Sequence, residues 1–276
     1  MNRLKLLFVD LIIIFIRVPK LLMRNSDSFN FYLLSIKNRL KTSGNKVINN
    51  RVFKFETDSV KTYQRFTKLL NKEPDTILWI DSFDENDVFW DIGANVGVFS
   101  FYAGYNGIKT FSFEPDPLNY KELSKMVILN NMNNISPFLI GVGASQLGYF
   151  NLEFADDGLD SGRSMRTLNT SGITNPNLNY IKTLTMSLNS LVDLLNLDFP
   201  NHIKIDVDGN EIGILDNQFE FLNNPKLKSV LIELDESDQV SLNRIIDIMN
   251  RCNFVIYKRV STDTGSKFIN YIFRKS

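Results

Sequence analysis

Cysteine and histidine are almost absent from this chain of 276 residues, which contains one of each. Cys252 alone excludes an intrachain disulfide, and together with His202 it provides too few ligands for a zinc site built from Cys and His. We interpret His202, which precedes a predicted strand, as a surface or loop residue. Net charge is also lacking, because 31 basic side chains balance 31 acidic ones. The chain therefore has no basic field of the kind that nucleic-acid-binding proteins use, and we expect no nucleic-acid partner.

A hydrophobic run long enough to cross a membrane is missing from the N-terminal segment, residues 1–24. Its apolar run from Leu6 to Ile16 is much shorter than the ~20 residues that span a bilayer, and no small-residue cleavage site follows. Arg3, Asp10 and Arg17 are evenly spaced, so a helix would carry them on one narrow polar stripe. We predict either peripheral contact with a membrane or packing on the protein or a second subunit. The expected location is cytoplasmic, and a peripheral position at the inner face of a membrane and a homo-oligomer stay open.

The rest of the chain has the pattern of one α/β domain preceded by a cap. Apolar residues make up 43% of the sequence, which is enough for a sizeable core. We predict a cap of helices and a strand over residues 25–84 and the principal domain over residues 85–276. In that domain strands alternate with helices, which predicts a mostly parallel sheet with right-handed crossovers. Phe254–Lys258 and Phe268–Phe273 flank a turn-rich segment and predict a C-terminal antiparallel hairpin.

The predicted elements of the principal domain follow from their apolar patterns. Core strands are predicted at Val88–Asp91, Thr110–Glu114, Ser136–Gly141, Ile203–Val207 and Ser229–Leu234. Helices are predicted at Val96–Tyr105, Leu118–Asn130, Ser190–Leu197, Glu211–Phe221 and Val240–Arg251. Residues 155–179 are rich in Asp, Gly, Ser, Asn and Thr, and their flanks alternate in polarity. We therefore expect a hairpin with a long, elaborated tip there.

The most informative stretch of the chain runs from Val88 to Phe99 (VFWDIGANVGVF). An apolar strand ends in an acid, Asp91, and a glycine-bearing turn leads into an apolar helix. In α/β folds a turn of this kind binds the ligand, and we expect its backbone N–H groups to be free to face that ligand. Glu114 ends the next predicted strand 23 residues after Asp91, where doubly wound folds place the acid that binds a ribose.

The spacing of the glycines separates two classes of ligand. A dinucleotide fold requires G-x-G-x-x-G, and counting from Gly93 places Asn95 and Val98 where the other glycines should stand. A nicotinamide oxidoreductase is therefore disfavoured. S-adenosylmethionine has no phosphate but carries an ammonium and a sulfonium, and a carboxylate at Asp91 suits that cation. In the alternative interpretation, Asp91 only forms or caps the turn.

Three segments, in order along the chain, resemble the signature blocks of the FkbM-type methyltransferase family. They are Asp91–Gly97 (DIGANVG), Phe113–Pro117 (FEPDP) and Ile203–Glu211 (IKIDVDGNE). The resemblance implies a Rossmann-like class I methyltransferase fold with S-adenosyl-L-methionine as the methyl donor. It also implies O-methylation of a hydroxyl on a small-molecule, sugar or polysaccharide-type acceptor.

We assign donor binding to the glycine-bearing turn and to the end of the second strand. The residues of this prediction are Asp91, Gly93, Ala94, Asn95, Gly97, Glu114 and Pro115. The chain departs from the family pattern at Asp208, where relatives more often have glutamate, and at Asn210, where histidine or alanine is common. These departures leave the donor assignment in place and bear on the acceptor.

The candidate catalytic residues follow the fourth predicted strand. An alcohol acceptor must lose a proton, and a positioned carboxylate can take it. We predict that Asp206, Asp208 and Glu211 serve in catalysis, because the carboxyl end of this strand borders the ligand crevice of open α/β sheets. In the alternative, Glu211 only favours the helix N-terminus and Lys204 pairs with Asp206 across strands. With Asn210 these acids would also suit Mg²⁺ or Ca²⁺, but we predict no metal ligand.

Other functions use the same sequence features. A non-catalytic binding module would keep the fold as a scaffold, although the intact Asp91, Gly93, Gly97 and Glu114 argue against it. A methyltransferase that acts on a nitrogen or a carboxyl group would need the same donor site. An adenine-methylating enzyme would carry an Asn/Asp-Pro-Pro-aromatic tetrapeptide, which this sequence lacks.

Overall fold

A computed structural model of the chain describes part of the cap and most of the principal domain. The described residues are 27, 30–31, 33–35, 42–48, 51–57, 59–154, 168–169, 179–207, 209–261 and 267–276. The chain divides into two compact units, residues 1–42 and 43–276, and the second contains the central sheet. The N-terminal segment 1–24, with its predicted membrane or subunit contact, lies outside the described residues. Within them, no helix combines the length and apolar character that crossing a membrane requires.

The strands and helices of the described residues have the following bounds. The strands are β1 Thr42–Ile48, β2 Arg51–Thr57, β3 Val88–Ile92, β4 Lys109–Phe113, β5 Ile135–Phe138, β6 Gly141–Val142, β7 Gly148–Phe154, β8 Leu168–Asn169, β9 Asn179–Met186, β10 His202–Ile205, β11 Ser229–Asp235, β12 Phe254–Ser261 and β13 Phe268–Lys275. The helices are α1 Val60–Lys72, α2 Pro74–Asp81, α3 Val98–Tyr105, α4 Pro117–Leu129, α5 Leu188–Asp193, α6 Glu211–Leu215, α7 Phe219–Asn223 and α8 Gln239–Arg251.

The central sheet has seven strands in the order β12-β13-β11-β10-β3-β4-β5. Strands β11, β10, β3, β4 and β5 pair in parallel, and helices connect them as crossovers. The hairpin of β12 and β13 places β13 antiparallel to β11. The structure therefore confirms the Rossmann-like α/β class, with a mostly parallel sheet and a C-terminal antiparallel hairpin.

Two predicted elements are divided in the structure. The third predicted strand, Ser136–Gly141, is split between β5 of the central sheet and β6, which belongs to a separate sheet of order β6-β9-β7-β8. The predicted helix Glu211–Phe221 is observed as α6 and α7, because Asn217 adopts a left-handed φ of 61° between them. The predicted hairpin is confirmed by the antiparallel pairing of β7 with β9, whereas most of its long tip lies outside the described residues.

The central sheet is buried on both faces, as its apolar strands require. Trp90, Ile203 and Ile205 point to one face and pack in a cluster that includes residues of α8. Phe89 and Leu231 point to the other face and pack against aromatic residues from β2, α1, α2 and α3. The part of the cap from β2 to α2 thus covers the face of the sheet on which Asp91 and Lys204 also lie.

His202 is buried, so its prediction as a surface or loop residue is wrong. It is the first residue of β10, and its Nε2 lies 2.8 Å from Asp87 Oδ2 while its Nδ1 lies 2.7 Å from Ser229 Oγ. Trp79 Nε1 donates to the same Ser229 Oγ, which leaves the serine hydroxyl proton for His202 Nδ1. These partners assign a neutral imidazole whose Nε2–H donates to Asp87. The reason for the burial is the cap, whose side chains cover this end of the strand.

The burial of His202 has a consequence for stability in acid. Burial lowers the pKa of His202 to about 4, against the opposing effect of Asp87. In the unfolded chain His202 takes up a proton near pH 6.5, whereas in the folded protein it stays neutral down to about pH 4. The free energy of unfolding therefore falls by about 3 kcal/mol as the pH decreases from 6.5 toward 4. We expect urea unfolding of His202→Gln to show a flatter pH dependence in this window. Parallel curves for the variant and the wild type would contradict this assignment.

Candidate functional site at the carboxyl ends of the central strands

The turn after β3 depends on glycine at a position of close approach. Gly93 has a φ of 76°, and a Cβ atom there would lie 1.9 Å from the backbone oxygen of Asp206. Asn95 and Gly97 also have left-handed backbone angles, with φ of 54° and 86°. This turn therefore lies directly against the end of β10, and it brings the first and third sequence blocks together.

The backbone N–H groups of this turn are not free, and that prediction is wrong. The N–H groups of Gly93 and Ala94 donate to the Phe113 carbonyl at 2.9 and 3.1 Å, and that of Asn95 donates to Glu114 Oε2 at 2.7 Å. The turn uses these donors to hold the end of β4 beside it. What the turn offers to a ligand is therefore close backbone approach and neighbouring carboxylates, rather than an anion-binding cradle.

Glu114 is buried between the first two strand ends. Its Oε2 accepts from Asn95 N, and its Oε1 accepts from Asp116 N at 2.9 Å. Burial raises the pKa of Glu114 to about 8, and the two backbone donors act in the opposite direction. Pro115 follows, and its carbonyl accepts from Thr183 Oγ1 at 3.4 Å. Asn119 Nδ2 also lies 3.5 Å from Oε1, so the predicted ribose acid is held rigidly by donors on both of its oxygens.

The two carboxyl oxygens of Asp91 have different surroundings. Ser100 Oγ donates to Asp91 Oδ2 at 2.5 Å, and Ser112 Oγ donates to Ser100 Oγ at 2.8 Å. Asp91 Oδ1 is buried and has no hydrogen-bond partner among the described residues. Burial raises the pKa of Asp91, and the ammonium of Lys204 opposes that effect. A buried acceptor of this kind fits the ammonium of a bound amino-acid group such as that of S-adenosylmethionine.

Asp206 directly follows β10 and lies at the edge of the crevice. Its backbone N–H donates to the Ile92 carbonyl at 3.1 Å, and its Oδ2 accepts from Lys204 Nζ at 2.6 Å. Its side chain is 30% exposed, whereas that of Lys204 is 2% exposed. Burial alone would raise the pKa of Asp206, but Lys204 outweighs it and the pKa is lowered. Lys204 and Asp206 therefore pair as near neighbours along the chain, one in β10 and one directly after it, and not across strands.

Of the other two candidate catalytic acids, the structure describes Glu211 but not Asp208. Glu211 is the first residue of α6, and its Oε1 accepts from Gly209 N at 3.0 Å, so it closes the turn that leads into the helix. Asp208 lies outside the described residues. Among the residues that are described, no group of three or more His, Cys, Asp or Glu side chains has a metal-binding arrangement.

Sequence reasoning missed the serines that orient Asp91. Ser100 lies in α3 and Ser112 in β4, and both are fully buried within otherwise apolar elements. A serine within an otherwise apolar helix or strand could have indicated a buried hydrogen bond, because a buried hydroxyl needs a partner. Which partner it finds depends on how α3 packs over β3 and β4.

The chain matches the model of the FkbM methyltransferase domain over residues 91–256. It is also similar to the hexuronic acid methyltransferase AglP of Haloferax volcanii, with 24% identity over 162 residues, which are 59% of this chain and 62% of that protein. The match thus spans less than two thirds of the length of that relative.

The chain is also similar to solved structures, at low sequence identity and with TM-scores below 0.5. One is a precorrin-6y C5,15-methyltransferase from Geobacter metallireducens, at 13% identity and a TM-score of 0.43, covering 76% of this chain and 92% of the other. A second is Trm5b from Pyrococcus abyssi, at 15% identity and a TM-score of 0.45, covering 85% and 56%. A third is a ribosomal protein L11 methylase from Lactobacillus delbrueckii, at 14% identity and a TM-score of 0.42, covering 77% and 79%.

Proposed function

The chain belongs to the FkbM methyltransferase domain family, and on that premise we propose that it transfers a methyl group from S-adenosylmethionine to a hydroxyl of a sugar-type acceptor. Residues 91–256 are a methyltransferase domain, and dependence on S-adenosylmethionine follows from the family. The observation that carries the proposal is the buried Oδ1 of Asp91, which has no hydrogen-bond partner in the part of the chain that the structure describes and lies beside the Gly93 turn and Asp206. Small-molecule and polysaccharide acceptors remain within the same proposal.

The donor side of the site is formed by the ends of β3 and β4. We propose that Asp91 Oδ1 accepts from the donor's ammonium and that Glu114 accepts from its ribose hydroxyls. Gly93, Ala94, Asn95, Gly97 and Pro115 would shape the surface against which the donor lies. When bound, S-adenosylmethionine supplies a methyl group on a sulfonium, which is already activated, so the protein's main contribution is to hold the acceptor in line.

The acceptor side requires a base if the acceptor is an alcohol. Asp206 is partly exposed at the crevice, which supports its role in taking the hydroxyl proton. Glu211 follows within the same turn and is the second candidate, and Asp208 is the third. Lys204 contacts Oδ2 of Asp206 in its ion pair, and Glu233 also hydrogen-bonds to this carboxyl group, so both neighbours fix its position at the crevice.

The name of the relative from Haloferax volcanii supports a carbohydrate-type acceptor and also raises a second candidate. A hexuronic acid offers both hydroxyls and a carboxylate. A carboxylate acceptor is already ionised at neutral pH and needs no base. Transfer to the carboxyl group of a sugar acid is therefore the alternative reaction, and a non-catalytic binding module is the alternative function.

The proposed function is tested by transfer of a tritiated methyl group to a panel of acceptors. The panel contains glucuronic acid, its neutral counterpart glucose, a lipid-linked sugar and a polyketide alcohol. A methyl ether withstands mild alkali whereas a methyl ester is hydrolysed, so the stability of the label separates hydroxyl from carboxyl transfer. Binding of S-adenosylhomocysteine without transfer to any acceptor would favour the binding module.

Substitution of the candidate bases should lower turnover while product binding persists. We expect Asp206→Asn or Glu211→Gln to lower kcat by about a hundredfold, because general base catalysis is worth that much, with the affinity for S-adenosylhomocysteine nearly unchanged. Asp198→Asn is the matched control, since Asp198 pairs with Lys109 on the surface near the opposite end of β4. Wild-type rates in both variants would place the base elsewhere.

A further inference from the structure

Lys204 is a charged residue in a position that strands of this kind reserve for apolar side chains. Its side chain is 2% exposed, and its ammonium lies 2.6 Å from Asp206 Oδ2 and 5.0 Å from the centre of the Phe99 ring. Phe99 belongs to the first turn of α3, which follows the donor turn. A buried ammonium costs several kcal/mol unless acids surround it, so the surroundings of Lys204 must supply negative charge.

Acidic groups reach Lys204 from three directions. Lys204 pairs in register with Asp91 on β3, and their charges act on each other through space. Glu73, between α1 and α2, acts on the ammonium from the cap and accepts from Asn270 Nδ2 at 3.0 Å. Asp206 makes the direct ion pair. Together these acids raise the pKa of Lys204 against the effect of burial, so the side chain stays protonated.

Asp206 is in turn shared between neighbours on other elements. Glu233 lies on β11, one register pair beyond Ile205 and Ile232, and it hydrogen-bonds to the Asp206 side chain. Arg65 of α1 adds a favourable charge from the cap. The groups that face Asp206 are therefore Lys204 on β10, Asp91 on β3, Glu233 on β11 and Arg65 on α1.

We propose that Lys204 is a positioning residue of the methyl-transfer site, which holds the Asp206 carboxylate at the crevice and at the same time offsets the negative charge of Asp91 on the donor side. This inference rests on the proposed function and deepens it. S-adenosylmethionine carries one more positive charge than S-adenosylhomocysteine. A cation beside Asp91 therefore weakens binding of the methyl donor relative to the demethylated product, and a loss of that cation must change their affinity ratio.

The test uses calorimetric affinities of the full chain for S-adenosylmethionine and S-adenosylhomocysteine. We expect Lys204→Met to shift the affinity ratio toward the methyl donor by about tenfold at pH 8, above the range in which a neighbouring carboxyl group takes up a proton, since one positive charge is then removed from a buried site. Asp206→Asn should shift the ratio in the opposite direction, because it removes a negative charge. Lys204→Arg keeps the charge and should stay near wild type. The matched control is Lys109→Met, which removes a surface ion pair near the opposite end of β4.

A second measurement separates positioning from packing. Without the ammonium beside them, the partly exposed Asp206 carboxyl group or the buried Asp91 carboxyl group has a raised pKa and takes up a proton in the folded protein. A raised carboxyl pKa makes stability fall as the pH rises, so Lys204→Met should recover stability relative to wild type between pH 8 and pH 5. A side chain that only fills space would lower the unfolding temperature equally at every pH.

Each outcome bears on one claim. An unchanged affinity ratio in folded Lys204→Met and Asp206→Asn, with wild type binding both compounds, would overturn the role of Lys204 and leave the proposed function standing. If Lys204→Met does not fold, the ratio in the isosteric Asp206→Asn decides. Wild-type protein that binds neither compound would overturn the proposed function, and the inference with it.

Discussion

Gly93→Ala is expected to abolish donor binding and to destabilise the protein by about 3 kcal/mol or more. The added Cβ would lie 1.9 Å from the Asp206 backbone oxygen, and neither the turn nor the end of β10 can move without loss of the hydrogen bond from Asp206 N to Ile92 O. The φ of 76° adds strain for alanine. Urea unfolding and calorimetric titration with S-adenosylhomocysteine measure the two effects.

Gly107→Ala is the matched control for this prediction. Gly107 has a similar φ of 88°, but a Cβ there would meet no atom of the described residues within 4 Å. Gly107→Ala should therefore lower the free energy of unfolding only by the backbone strain, about 1–2 kcal/mol, and should leave donor binding intact. If the two variants proved equally stable and equally competent to bind, the close approach of the turn to β10 would not exist in solution.

Asp91→Ala and Glu114→Ala are each expected to weaken binding of S-adenosylhomocysteine by about 1.5–3 kcal/mol, which is roughly a 10- to 100-fold loss of affinity. Asp91 contributes the buried oxygen that has no partner among the described residues, and Glu114 is held by two backbone donors at the next strand end. Asp91→Asn should lose most of the same affinity, because it keeps the shape but not the charge.

Calorimetry with a surface control tests this assignment. Asp216→Asn removes an acid that pairs with Arg244 on the surface, and it should bind as wild type does. Circular dichroism of each variant establishes that the fold is intact. Undiminished affinity in both Asp91→Ala and Glu114→Ala would show that the donor lies elsewhere.

The sequence by itself determined the fold class, the order of the core elements and the region of the site. A parallel strand buried on both faces needs a continuous apolar run, and a crossover helix needs apolar residues at helical spacing. Both patterns are local, so they can be recognised in the sequence. The acids Asp91 and Glu114 end such runs, and parallel strands place those ends at one edge of the sheet. Their proximity, joined through Asn95, could therefore be predicted without coordinates.

Only the tertiary structure decided how these groups are satisfied. The N–H groups of the turn after β3 donate to the end of β4. Ser100 and Ser112 orient Asp91, and Lys204 forms its ion pair with Asp206. His202 is buried because the cap covers its end of β10, although nothing near it in sequence indicates this. The physical reason is the same in each case. A buried polar group must find a partner, and that partner comes from whichever element packs against it, at a distance along the chain that local pattern does not record.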